Sequence, residues 1–143
     1  MDSRFGRTAL EGLRELKRSR NFYRLASTTH VEHEYRGGQW GHHSTYAFVR
    51  FECSPADDLI FESRASWPST VYESEQAELE RAVAETVADA LLSGLYQHSG
   101  CIVTLVEVRY DDVCSSVASF MIATESAVKD LLAAKWTIIF KDE

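Results

Sequence analysis

A chain of 143 residues, 45% hydrophobic and 26% charged, suits one domain with a single core, and its composition is that of an ordinary soluble globular protein. No apolar run approaches 18 residues and the first twenty hold no signal-peptide core, so no membrane partner and a cytoplasmic location are expected. The formal charge of −7 is uneven: residues 1–24 hold seven basic and three acidic side chains, a net of +4, which leaves −11 for the rest.

An acidic body repels phosphate backbones at range, so generic nucleic-acid binding by the globular part is disfavoured. Residues 1–25 read as a basic helical arm. Leu10, Leu13 and Leu16 lie three apart, with Arg14, Lys17, Arg18 and Arg20 among and after them. Two readings stay open: a contact to RNA or a partner through these four cations, or a helix docked on its own domain.

Residues 26–143 then form the domain. Thr28 to Tyr35 alternates weakly as a strand, with Val31, His33 and Tyr35 on one side. The glycines of Arg36 to Gly41 permit positive φ and leave Gln39 and Trp40 at a hairpin tip. The return strand, His43 to Cys53, places Ala47, Val49, Phe51 and Cys53 on one face and Tyr46, Phe48, Arg50 and Glu52 on the other. After a turn at Ser54 to Asp58, Leu59 to Arg64 is expected as a third strand that closes an antiparallel meander.

A helix follows, capped by Thr70 with Glu73 or by Ser74, its core stripe running through Leu79, Val83, Val87, Leu91 and Leu95. From Cys101 to Arg109 the chain is apolar and β-branched, as in a buried strand. Tyr110, Asp111 and Asp112 break that run, and apolar positions from 113 to 132 follow helical spacing, with Asp112 or Ser115 as cap. Trp136 to Phe140 reads as a short last strand or an apolar tail. The pattern is α+β: a two-layer sandwich of an about four-stranded mixed sheet with two helices on one face, plus an N-terminal helix.

Chemistry-bearing motifs are sparse. Neither G-x-x-x-x-G-K-[ST] nor G-x-G-x-x-G is present, so no nucleotide is expected. His30 and His33, like His42 and His43, point to opposite faces of a strand. His33 with His42 or His43, beside Glu32 or Glu34, is the arrangement most open to zinc, but solvent-exposed histidines are the simpler account and no metal is expected. Cys53, Cys101 and Cys114 show neither a disulfide framework nor C-x-x-C spacing and are expected as reduced, mostly buried thiols. Cys114, Ser115 and Ser116 stand at a helix start, where a nucleophile would be activated, yet capping explains them more simply.

The segment Y-D-D-V-C-S-S from Tyr110 to Ser116, with Phe120 following, resembles the Y-H-x-V-D-S-S…A-F signature of domain IV of translation elongation factor G. Upstream, Arg36 to His42 resembles that domain's G-R-G-Q-Y-G-H loop, with Gln39, Gly41 and His42 in register. The resemblance spans roughly Ser27 to Lys135. With no phosphate-binding motif the chain is not expected to be a GTPase, another enzyme or the holder of a cofactor, and what the resemblance implies is the ribosomal-protein domain 2-like fold with a left-handed β-α-β crossover. The resemblance also implies a binding tip of Gly37, Gly38, Gln39 and Trp40 with Tyr110, Asp111 and Asp112, which in the family contacts transfer RNA and ribosomal RNA. Two departures matter: the family's tip His is Asp111 here, and the Asp before the paired serines is Cys114. The expected partner is the ribosome or its RNA; the alternative is another protein, or a second copy, bound by a fold reused outside translation.

Overall fold

The structure is a computed structural model that describes residues 21–38 and 45–140. Its elements are β1 (Asn21–Leu25), β2 (Thr29–Gly37), β3 (Thr45–Pro55), β4 (Ile60–Ser63), α1 (Glu73–Leu92), β5 (Gln97–Arg109), α2 (Val117–Leu132) and β6 (Trp136–Phe140). The cations Arg14, Lys17, Arg18 and Arg20, and the loop residues Gln39, Trp40, His42 and His43, lie outside the described residues.

The sheet runs β2-β3-β5-β1-β6, with β4 also paired to β5. Two helices pack on one face of this mixed sheet, α2 against β2 and β3 and α1 against β5. The α+β sandwich therefore stands, with six strands among the described residues rather than about four. One added strand is β1. The sequence reading places Asn21–Leu25 within the basic arm, but Phe22 and Leu25 are buried and the segment lies between β5 and β6. The other is β6, the strand rather than the apolar tail of the two readings of Trp136–Phe140, which pairs antiparallel with β1 from Trp136 opposite Leu25 to Phe140 opposite Asn21.

The expected antiparallel meander ends at β3. Both edges of β3 are occupied, by β2 and β5, so β4 pairs parallel with β5 instead. Val103 faces Cys53 on one edge and Phe61 on the other. β4, α1 and β5 thus form a β-α-β unit with adjacent parallel strands.

The core follows the alternation of β3. Ala47, Val49, Phe51 and Cys53 are all fully buried, and they meet Leu79, Val83, Val87 and Leu91 of α1 and Phe120, Ala127 and Leu131 of α2 in one cluster. Leu95 does not join them and is 75% exposed. α1 stops at Leu92, and Gly94, at φ 97°, turns the chain away through a conformation that favours glycine. β5 starts four residues before the expected Cys101, because Gln97 and Gly100 already pair with Phe22 and Arg24 of β1.

The helix starts also differ from expectation. Tyr72 occupies the N-cap of α1 with no side-chain cap, while the Thr70 hydroxyl donates to Asp112 Oδ1 at 2.8 Å. In α2 the cap is Ser116, not Asp112 or Ser115. Its Oγ accepts the Ser119 N–H at 3.2 Å and the Ser119 Oγ accepts the Ser116 N–H at 2.9 Å, a reciprocal capping box. Val113, left outside the helix, is 85% exposed.

At Gly100 neighbouring backbones approach closely. A Cβ there would lie 2.6 Å from Arg24 Cα and 2.9 Å from the Ala56 carbonyl oxygen, both backbone atoms that cannot swing aside. Gly100→Ala is therefore expected to lower stability by about 1–3 kcal/mol, read as a lower urea midpoint at unchanged slope. An unchanged midpoint would show that β1 yields to the added methyl group.

Candidate functional site

Two loops meet at one end of the sheet: the end of β2 with Gly38, and the segment from Tyr110 to Ser116 that joins β5 to α2. The start of β3 fastens them. The Tyr46 N–H donates to the Cys114 carbonyl at 3.1 Å, and the Ser115 hydroxyl donates to the Tyr46 carbonyl at 2.6 Å.

Asp111 organises the second loop. Its Oδ1 accepts the N–H groups of Val113 at 2.9 Å and Cys114 at 3.0 Å, while its carbonyl accepts the Ser115 N–H at 2.9 Å. The Asp111 N–H in turn donates to Ser115 Oγ at 2.9 Å. The amides of Val113 and then Cys114 hold the Asp111 carboxyl below the usual range by favouring its charged form. Asp112 is tied sideways to Thr70.

Tyr110 faces inward. Its ring stacks beside Phe120 with centroids 6.3 Å apart and meets Trp67 edge-on, and its hydroxyl donates to Glu75 Oε2 at 2.9 Å. Desolvation, then the Glu75 hydrogen bond, push its pKa up to about 12. Of the residues expected at the tip, Asp111 and Asp112 are exposed there and Tyr110 anchors the loop from below.

On the first loop, Gly38 has φ 103°, which favours glycine. A side chain at Gly37 would meet the Tyr35 ring and Thr45 Oγ1, so those side chains would have to shift to admit it. Arg36 lies over the Tyr46 ring, 4.9 Å from its centroid, and donates to Glu34 at 3.4 Å. Tyr46 also donates to Glu34, at 2.9 Å. That bond lowers the Glu34 pKa, while desolvation and then Glu34 raise that of Tyr46.

Between the loops lies an open cleft of about 180 Å³ lined by Arg36, Gly37, Thr45, Tyr46, Asp111 and Cys114. It offers one guanidinium, one carboxylate already bonded to amides, and hydroxyl groups, a lining suited to hydrogen-bonded recognition. Arg36, Thr45 and Tyr46 are not among the site residues expected from the sequence. Tyr46 is legible there as an outward position of β3, but nothing local ties it to Cys114.

Among the described residues, no group of three or more His, Cys, Asp and Glu is arranged to hold a metal ion. Cys53 and Cys101 are buried, and burial pushes both thiols up to about 12. Cys114 is half-buried beside the cleft.

Neither a protein-family model nor a curated protein matches the chain. Solved structures do, among them a crystal structure of a protein from Thermus thermophilus, with a TM-score of 0.67 and 23% identity. The match covers 82% of this chain and 18% of that one, so this chain spans less than a fifth of the length of the protein it matches. The two share a fold. Also among the described residues, no helix is long and apolar enough to cross a membrane.

Asp111 generates a pH prediction. Its folded-state pKa lies below the ordinary 3.8, so its contribution is present above the unfolded value and is lost as pH falls through the depressed folded value. Asp111→Ala should lower Tm near neutral pH, and the gap to the parent should close as the pH drops below 3.8. A gap that stays constant through acid would rule out the ionised carboxylate as the source.

Proposed function

We propose that this chain is a non-catalytic binding domain of the elongation factor G domain IV kind, which contacts ribosomal RNA through its tip. The contact surface is Gly37, Gly38, Gln39 and Trp40 with Asp111 and Asp112, Tyr110 serving as the anchor of the second loop. The observation that supports this reading is the hydrogen bonding of Tyr46 to Cys114 and Ser115, which sets the second segment beside the start of β3, the strand paired with Arg36 and Gly37.

Electrostatics narrow how RNA would be bound. On the open face of the sheet the arginines are taken up by carboxylates: Arg50 by Glu32 and Glu107, Arg109 by Glu107, Arg64 by Glu52 and Arg36 by Glu34. A face so neutralised offers little to phosphate. Short-range contacts therefore carry the reading: a side-chain amide at Gln39 and a stacking ring at Trp40. The buried thiols of Cys53 and Cys101 fit a reducing compartment such as the cytoplasm.

A second reading, association with another protein or a second copy, is favoured by β6. This strand ends the sheet path and carries Phe140 at 71% exposure.

Co-sedimentation with ribosomes of the same host distinguishes the two. The intact protein is expected to pellet with ribosomes, and Gln39→Ala to weaken binding roughly fivefold, the worth of one hydrogen bond of about 1 kcal/mol. A variant with Arg14, Lys17, Arg18 and Arg20 changed to Gln measures the electrostatic share. Loss of binding in that variant alone would replace the tip by the basic segment as the contact. If no variant pellets at low or moderate salt, the ribosome reading fails and the protein partner takes its place.

A further inference from the structure

The two faces of the sandwich treat their charges differently. On the open sheet face Glu32, Glu34, Glu52 and Glu107 each meet an arginine. On the helical face, α1 and α2 enclose a groove of about 230 Å³ whose lining includes Glu78, Arg81, Glu85 and Asp89 of α1 and Val117 and Met121 of α2. None of its three carboxylates makes an ion pair among the described residues. Arg81 offsets one charge and leaves the lining at −2. Its apolar side is open too, since Met121 is 40% and the adjoining Ile122 39% exposed. An acidic trough with an apolar wall is complementary to a chain that alternates leucine with cations.

Residues 1–20 match it in net charge, six basic side chains against the acidic Asp2, Glu11 and Glu15, a net of +3. They hold Leu10, Leu13 and Leu16 with Arg14, Lys17, Arg18 and Arg20, and they lead directly into β1 at Asn21. Reach is sufficient. Twenty residues span up to about 66 Å when extended, whereas α1 is about 30 Å long and stands about 10 Å above the sheet.

We infer that the α1–α2 groove is the docking site of residues 1–20 of the same chain, the cations facing Glu78, Glu85 and Asp89 and the leucines facing Val117 and Met121. Docking there holds the positive charge of the chain against its own body. The inference does not depend on the ribosome reading, but it sets a competition: cations held in the groove are withheld from any phosphate.

A spin label tests this in the full chain. With Cys114→Ser, a maleimide label placed through Thr8→Cys has no competing site, because Cys53 and Cys101 are buried and their thiols are pushed up to about 12. The expected result is paramagnetic broadening of the amides of Glu78, Ala82, Glu85 and Met121, with the open sheet face unaffected. Glu78→Lys, Glu85→Lys and Asp89→Lys together should abolish it. Raising ionic strength from about 0.01 M to about 1 M, which shortens the Debye length from about 30 Å to about 3 Å, should weaken it in the parent groove even if the triple variant folds poorly. Broadening at the tip or on the open face, or none at all, would overturn the assignment. So would broadening seen only between labelled and unlabelled copies, which would make a second chain the occupant.

Discussion

The structure depends on one irregularity in β5. Up to Leu105 its core-facing residues are odd-numbered: Cys101, Val103 and Leu105 are fully buried. Continued alternation would drive Glu107 and Arg109 into the core, at a cost of several kcal/mol for each unpaired charge. The ladder with β3 slips instead. Arg50 faces Glu107 and Phe51 faces Leu105, leaving Val106 as the extra residue of a bulge. The phase reverses, Val108 turns inward at 8% exposure, and Glu107 and Arg109 reach the open face. There Glu107 joins Arg50 to Arg109, and both guanidiniums cover Phe48, which is only 4% exposed. The bulge also sets the direction in which the strand delivers Tyr110 and Asp111 to the loop.

The parts legible in the sequence are those whose burial repeats locally. The alternation of β3 and the four-residue spacing from Leu79 to Leu91 locate the core face of a strand and of a helix with no knowledge of their neighbours. β1 has no such signature: Phe22 and Leu25 are three apart, amid arginines, and only pairing with β5 and β6 reveals the strand. The direction of β4 is hidden for a related reason. Ile60–Ser63 suits either edge, and what decides is that β5 already occupies the free side of β3. Thr70 illustrates competition between a local and a distant partner, since the hydroxyl that fits a capping box bonds Asp112 across 42 residues.

The candidate site divides along the same line. Asp111 followed by amides two and three residues on is a short-range turn that its side chain favours. The join between loops is not short-range. It rests on backbone groups of Tyr46 and Cys114, which every residue carries, and on the Ser115 hydroxyl, whose partner 69 residues away no local pattern names. Tyr110 is the reverse case. As the end of an apolar strand it could equally face solvent or the core, and the Phe120 ring and the Glu75 carboxylate draw it inward.

Charge placement then constrains what the tip can recognise. With −11 spread over residues 25–143, a polyanion is repelled at distances beyond a hydrogen bond, and the arginine ladder offers no compensating field because each member is paired. On the proposed RNA reading, affinity at the tip comes from contacts made after approach: the amide of Gln39, the ring of Trp40 and the backbone of Gly38, which is exposed. Those contacts need fixed geometry. Asp111 supplies it by committing its carboxylate to the amides of its own loop, so that the residue whose charge is least compatible with RNA is also the one that holds the loop in shape.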